Sequence, residues 1–375
     1  MACKPLRAAL ASLLVVSAAA LPAEGLHSAQ DKATEEKVLN FYNWADYIGP
    51  NTIADFEAEY GIKVNYDIFD ATAVVEAKLL AGKTGYDVVL HAMRYSARLI
   101  PIGVFKPLQF EQLPNRRHLD PWVLEVLARK DPGNRHAIPY MWGTTGFMYN
   151  VDMVRERMPD APVDSAAMLF EPEIVRRFAD CGVTWLDEST TVIPLVMLYL
   201  GHDPHSVDEG HLAEVEALLK ATRPYIRYIS SGMGLNDMGN KEICIAMAWS
   251  GDYTQAQNRA NEAGVDISLA YTVPREGTVM WFDNLLIPAD APHPQNAHLF
   301  LNFLMRPEVI GPISDFIGYG NANKDSIPFV SAKLANDPAA WPPMEARAAW
   351  QAGLIYGPKE ERLRSRSWSR IKTGL

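Results

Sequence analysis

Three stretches of this chain set a tryptophan two or three residues before an aspartate with a further aromatic beside them: Trp44 and Asp46, with Tyr47, in NWADY; Trp249 and Asp252, with Tyr253, in WSGDY; and Trp281 and Asp283, with Phe282, in WFD. A fourth aromatic, Tyr319, stands in IGYGNANK. Taken singly, each reads as a core aromatic beside a capping or surface acid. The repetition, each time close to an expected strand end, is the informative observation. Trp and Asp together suit two chemistries. An ammonium group is held by charge-assisted hydrogen bonds to carboxylates, and its charge and alkyl chain lie against ring faces at ~0.5 to 2 kcal/mol per cation-π contact. A sugar also stacks on Trp and hydrogen-bonds to Asp, and two such carboxylates could serve a glycosidase as acid and nucleophile. Composition does not separate the two.

Other motifs fall away on inspection. AGKTG at 81 to 85 has the end of a phosphate loop, but GxxxxGK[ST] needs glycine at 77 and the chain has Ala77. GMGLNDMGN lacks the GxGxxG order and reads as a loop and helix start. His202 and His205 in GHDPHS sit around Pro204 in a turn with no third ligand at useful spacing, so a surface loop is expected and no metal. No GxSxG, HExxH or CxxC occurs, and no cofactor is implied.

The elements that must position the acids are legible. KVLNFYNW reads as a buried strand, and GPNTIADFEAEYG as a helix with Pro50 near its start and Gly61 just past its end. IKVNYDIF alternates like a strand, TAVVEAKLLAGK is a helix, and YDVVLHA is a third strand. This β-α-β-α-β pattern predicts a parallel sheet with helices on its faces. In strand order 2-1-3, strands one and three are neighbours and ligands bind beyond their carboxyl ends, so NWADY and HAMRY (residues 91 to 95) are expected to face one crevice. IRYISSGMGLND, EICIAMAWSGDY, ISLAYTVP and VMWFDNLLIPADAP look strand-rich, with a helix from Tyr253 to Ala263 among them. HLFLNFLMRPEVI reads as one amphipathic helix, and the basic tail from Arg362 to Lys372 as a solvated helix end with packed Trp368.

The N-terminus carries Lys4 and Arg7, an apolar stretch from Ala8 to Ala20 and small residues at Ala18, Ala19 and Ala20, the pattern of a secretory signal peptide over residues 1–23 with cleavage near Ala20 or Ala23. The stretch is shorter than the ~20 residues a spanning helix needs, and Cys3 precedes it and leaves with the signal. Two cysteines then remain, Cys181 and Cys244, in a compartment that permits a disulfide; one bridge is the economical reading, two buried thiols the alternative. About 350 mature residues predict two domains of ~150 each. With 48% hydrophobic residues a packed core is expected, and the net charge of -10 disfavours nucleic acid and anionic lipid as partners.

FYNWADYIGPNTIADFEAEYGIKVNYDIFD, IPYMWGTTGFMYNVD, AWSGDY and YGNANK, in this order and spacing, resemble the periplasmic polyamine-binding proteins of bacterial ABC importers, and within them the putrescine-binding branch. The resemblance runs from about Val38 to the basic tail. It implies an α/β two-lobed periplasmic binding protein fold of type II, each lobe a mostly parallel sheet flanked by helices, closing on its ligand about a hinge. The lobes are expected at 36–140 plus 259–308 and at 141–258 plus 309–375. It also implies that Trp44, Asp46, Tyr47, Trp249, Asp252, Trp281, Asp283 and Tyr319 contact the ligand, and that Cys181 and Cys244 form a family disulfide.

Two departures bear on specificity. The third-strand loop of relatives carries Pro-Ser, where this chain reads HAMRY with Ala92 at the Ser position; a family glutamate falls in LDESTTV, where Thr190 and Thr191 stand and Glu188 is out of register. Arg94 adds a charge. Inside the cleft it would repel a ligand ammonium at ~5 Å by about 3 kcal/mol at an effective dielectric of 20, favouring a ligand with an amine at one end and a neutral or anionic group at the other. The expectation preferred here is that Arg94 turns to the lobe surface and pairs with an acid. The reading is therefore a monomeric periplasmic solute-binding protein, not an enzyme, that captures a polyamine-like cation for an ABC permease. Alternatives are a modified polyamine or cationic amino acid as ligand, a receptor-linked sensor of the same fold, and a secreted carbohydrate-active enzyme. The enzyme predicts an open groove with one raised carboxyl; binding predicts several ionised acids in an enclosed slot.

Overall fold

The computed structural model describes residues 35–69, 71–352 and 356–373. The signal peptide read from the sequence lies outside the described residues. Among them, no helix is long and apolar enough to cross a membrane.

β1 (Val38–Trp44), α1 (Thr52–Tyr60), β2 (Lys63–Phe69), α2 (Thr72–Ala81) and β3 (Val88–Ala92) follow the expected β-α-β-α-β run, and β1 pairs in parallel with both β2 and β3. Gly61 ends α1 in the left-handed region at φ 63°, where its N–H donates to the Glu57 carbonyl at 2.9 Å. Leu39 and Phe41 on one face of β1 and Tyr42 on the other enter separate hydrophobic clusters, so both faces of the sheet are covered. Each such side chain withdrawn from water stabilises the fold by roughly 1.5 to 3 kcal/mol.

The strand that joins the two halves of the molecule is β4 (Ala137–Asn150). From Ala137 to Thr144 it runs antiparallel to β9 (Val279–Leu286), and from Thr145 to Tyr149 antiparallel to β7 (Ile245–Trp249). The mixed sheet is thus continuous, in the order β2-β1-β3-β9-β4-β7-β5-β6, with β5 (Val183–Trp185) and β6 (Ile226–Ile229) parallel to their neighbours. At the changeover a side chain has no room. A Cβ on Gly143 would lie 2.6 Å from the Trp281 ring, and one on Gly146 would lie 2.0 Å from the Thr272 carbonyl of β8 (Leu269–Thr272).

Two lobes follow. One is centred on Leu39, Phe41, Phe56 and Phe300, the other on Phe147, Val183, Trp185 and Val192. Two segments can be placed against the residue ranges expected for the lobes: β8 pairs with β4 beyond Gly146, and Ile310, Ile313 and Ile317 pack in the first cluster. A disulfide joins Cys181 and Cys244, with Cα atoms 5.5 Å apart, tying the start of β5 to the start of β7. Trp368 is buried on the second lobe by the helix Pro358–Thr373.

HLFLNFLMRPEVI is two helices and not one. Pro294–Leu304 stops, Arg306 takes an extended conformation (φ -70°, ψ 133°), and Pro307–Ile317 starts again. The proline ring disfavours helical backbone at the residue before it and opens a new first turn well. HAMRY is likewise a strand end and a helix start, because α3 (Met93–Leu99) begins directly after Ala92.

Candidate functional site

β1 runs out at Trp44, and Asp46 turns the chain at φ 54°, a left-handed conformation that aspartate tolerates better than most residues. The turn sends Tyr47 inward. Its carbonyl accepts from Tyr140 Oη at 3.0 Å and Asn43 Nδ2 at 3.1 Å, and its own hydroxyl donates to Asp283 Oδ2 at 3.1 Å. Asp283 is held on β9 directly opposite Ala92 of β3.

The second acid is placed from the other lobe. Asp252 opens the helix Asp252–Glu262 just after β7, accepts the Trp249 N–H at 2.9 Å on Oδ2, and accepts the Tyr319 hydroxyl at 2.6 Å on Oδ1. Tyr319 reaches it because Gly318 ends its helix at φ 80° and because Gly251 has no side chain: a Cβ there would lie 2.7 Å from the Tyr319 ring. Trp281 meets the Tyr319 ring edge-on at 5.1 Å, and Tyr47 does so at 5.7 Å.

These side chains enclose a cavity of about 190 Å³. All eight residues proposed as ligand contacts line it: Trp44, Asp46, Tyr47, Trp249, Asp252, Trp281, Asp283 and Tyr319. Their positions differ, however. Asp252 and Asp283 are buried, whereas the Asp46 side chain is 66% exposed at the mouth and ion-paired with Arg259 at 2.9 Å.

Arg94 does not turn to the lobe surface. It lines the cavity together with Ala92 and forms an ion pair with Glu188 of the opposite lobe, with its side chain 16% exposed. The expected pairing with an acid is present; the expected place is not. Thr191 stands behind the pair, outside the cavity lining, donating to Glu188 Oε2 at 2.5 Å and accepting from Arg94 Nη1 at 3.4 Å. Tyr95 adds its hydroxyl to Glu188 at 3.1 Å. His91 is buried outside the lining, and burial with Arg98 and Arg94 nearby pushes it down to about 3.

Sequence reasoning missed Glu188, Gln255 and Leu235 as wall residues. Glu188 was legible in principle, as the residue at the start of the helix Ser189–Tyr199 directly after a buried strand, the carboxyl end at which ligands gather.

Burial raises both inner acids, Asp252 to about 6 and Asp283 to about 7. The phenols of Tyr319 and Tyr47 oppose this by hydrogen bonding, Arg94 also lowers Asp283, and Glu188 raises it. Both inner acids are therefore harder to ionise than ordinary carboxyls, Asp283 more so than Asp252. A nearby cation favours the ionised form of a buried carboxylate, and neither inner acid has an ion-pair partner among the described residues. A slot with two such acids, five tryptophan and tyrosine rings and phenolic donors is built to hold ammonium groups on a short apolar chain.

Residues 51–342 match the family model described as bacterial extracellular solute-binding protein. The chain is 43% identical over 344 residues to the putrescine-binding periplasmic protein PotF of Escherichia coli (strain K12), covering 91% of this chain and 93% of that one. It is 41% identical over 356 residues to the putrescine-binding periplasmic protein SpuD of Pseudomonas aeruginosa (strain UCBPP-PA14), covering 95% and 97%. Among solved structures, the spermidine/putrescine ABC transporter substrate-binding protein PotD of Streptococcus pneumoniae superposes with a TM-score of 0.76 at 25% identity, over 90% of this chain and 99% of that one. The mixed, helix-flanked sheet, the cavity between two lobes and these matches over nearly the whole chain agree: the chain belongs to the bacterial extracellular solute-binding proteins.

Proposed function

We propose that this protein captures a polyamine-type cation in the periplasm and presents it to an ABC permease. The observation that carries the reading is the pair of buried carboxylates, Asp252 and Asp283, each with a phenolic donor and neither with a cation of its own, in a slot walled by Trp44, Trp249 and Trp281. Ammonium groups on the ligand neutralise the acids, the rings cover its methylenes, and closure of the lobes excludes water. No bond is made or broken. Closure is also the signal to the permease, because ligand that touches both lobes favours the closed form. Relatives named for putrescine binding support the ligand class.

A glycosidase reading fits less well. A retaining enzyme needs one ionised carboxylate beside one neutral acid, and here burial pushes both acids up.

The test is calorimetric titration of refolded, dialysed protein with putrescine, cadaverine, spermidine, agmatine and γ-glutamylputrescine. Micromolar or tighter binding of an amine is expected. No heat from any of them overturns the reading.

A further inference from the structure

Four acids line the cavity: Asp46, Glu188, Asp252 and Asp283. Two are already neutralised within the protein, Asp46 by Arg259 and Glu188 by Arg94. The remaining two match two ligand ammonium groups. Arg94 therefore stands where a further ligand cation would gain from Glu188. It is fixed there from both lobes, lying 4.8 Å from the Tyr95 ring, while Tyr95 and Thr191 hold the Glu188 carboxylate in place.

We propose that the Arg94–Glu188 pair is a specificity device that sets this slot to ligands with two cationic centres and rejects a third. The proposal rests on the amine-binding reading above. A triamine extending toward Glu188 meets a carboxylate whose charge the guanidinium already neutralises, so its third ammonium would be desolvated there without a counter-charge. A diamine spanning Asp252 and Asp283 keeps its counter-charges. Arg94 thus acts as an internal ammonium and caps the slot.

Calorimetry with putrescine and spermidine separates the alternatives. The parent protein is expected to favour putrescine by at least tenfold. Arg94→Met keeps the bulk, removes the charge and frees Glu188, so the ratio of spermidine to putrescine affinity should rise by at least tenfold. In Arg94→Met/Glu188→Gln the third acid is gone and the gain for spermidine should vanish. A purely structural role of the pair would weaken both ligands together, and that result overturns the proposal. So does equal affinity of the parent for the two amines, a single variant that gains nothing, or a gain that survives in the double variant. If Arg94→Met proves too unstable for calorimetry, its melting temperature should rise more with spermidine than with putrescine, the reverse of the parent; an unchanged order also overturns the proposal. Failure of the parent to bind either amine instead sinks the amine-binding reading itself.

Discussion

Tyr319 donates its hydroxyl to Asp252 at 2.6 Å, joining a loop at the end of one helix to the first residue of another 67 positions away in the chain. This bond is the main protein contact opposing the burial that raises Asp252. Removing it in Tyr319→Phe leaves the ring in place and makes the ionised acid harder to sustain. Amine affinity should fall about tenfold, ~1.4 kcal/mol, near the lower end of what a hydrogen bond to a charged group contributes. Unchanged affinity by calorimetry would show that the bond does not support binding.

Binding should depend on pH through the acids and not the amine. A ligand ammonium is held by ionised Asp252 and Asp283, whose folded values without ligand lie near 6 and 7. Protons compete increasingly as pH falls below about 7, so affinity should drop by at least tenfold between pH 7.5 and 5.5. Titrations in two buffers of different ionisation enthalpy should also show proton release on binding at pH 6. A flat profile with no proton release counts against ionisation of these acids by the ligand.

Asp283 should weaken the ligand-free fold at high pH. Its folded value, about 7, lies above the ordinary carboxyl value, so the stability from its protonated form is present at low pH and is lost as pH rises through about 7. Asp283→Asn keeps a neutral acceptor for Tyr47 at every pH. The variant should lose amine binding yet melt a few degrees higher than the parent at pH 8, with the difference shrinking toward pH 5. Thermal unfolding at the two pH values checks this, and a variant that melts lower at pH 8 contradicts it.

Asp46 should matter little. Its carboxylate is mostly exposed and paired with Arg259, and exposed ion pairs contribute ~0 to 1 kcal/mol. Asp46→Asn is expected to change amine affinity by less than about threefold at physiological salt. A loss as large as that of Asp283→Asn would place Asp46 among the groups that hold the ligand directly.

The local order of elements and the residues able to do the chemistry follow from patterning within the chain. Apolar runs, Pro50 and Gly61 mark the first β-α-β unit, and the repeated Trp–Asp spacing marked the walls of the cavity, because periodicity and capping act over a few residues. Local patterning could not foresee the break at Pro307 inside one apolar stripe, nor that β4 serves both lobes. Which acids are left without a partner depends on how the lobes pack. Asp46, Asp252 and Asp283 look alike in sequence, but Arg259 lies 213 positions from Asp46 and Tyr47 236 positions from Asp283. Arg94 and Glu188, 94 residues apart, become partners only when the lobes meet. Charge compensation and burial depend on distance in space, and that is fixed by how the lobes pack.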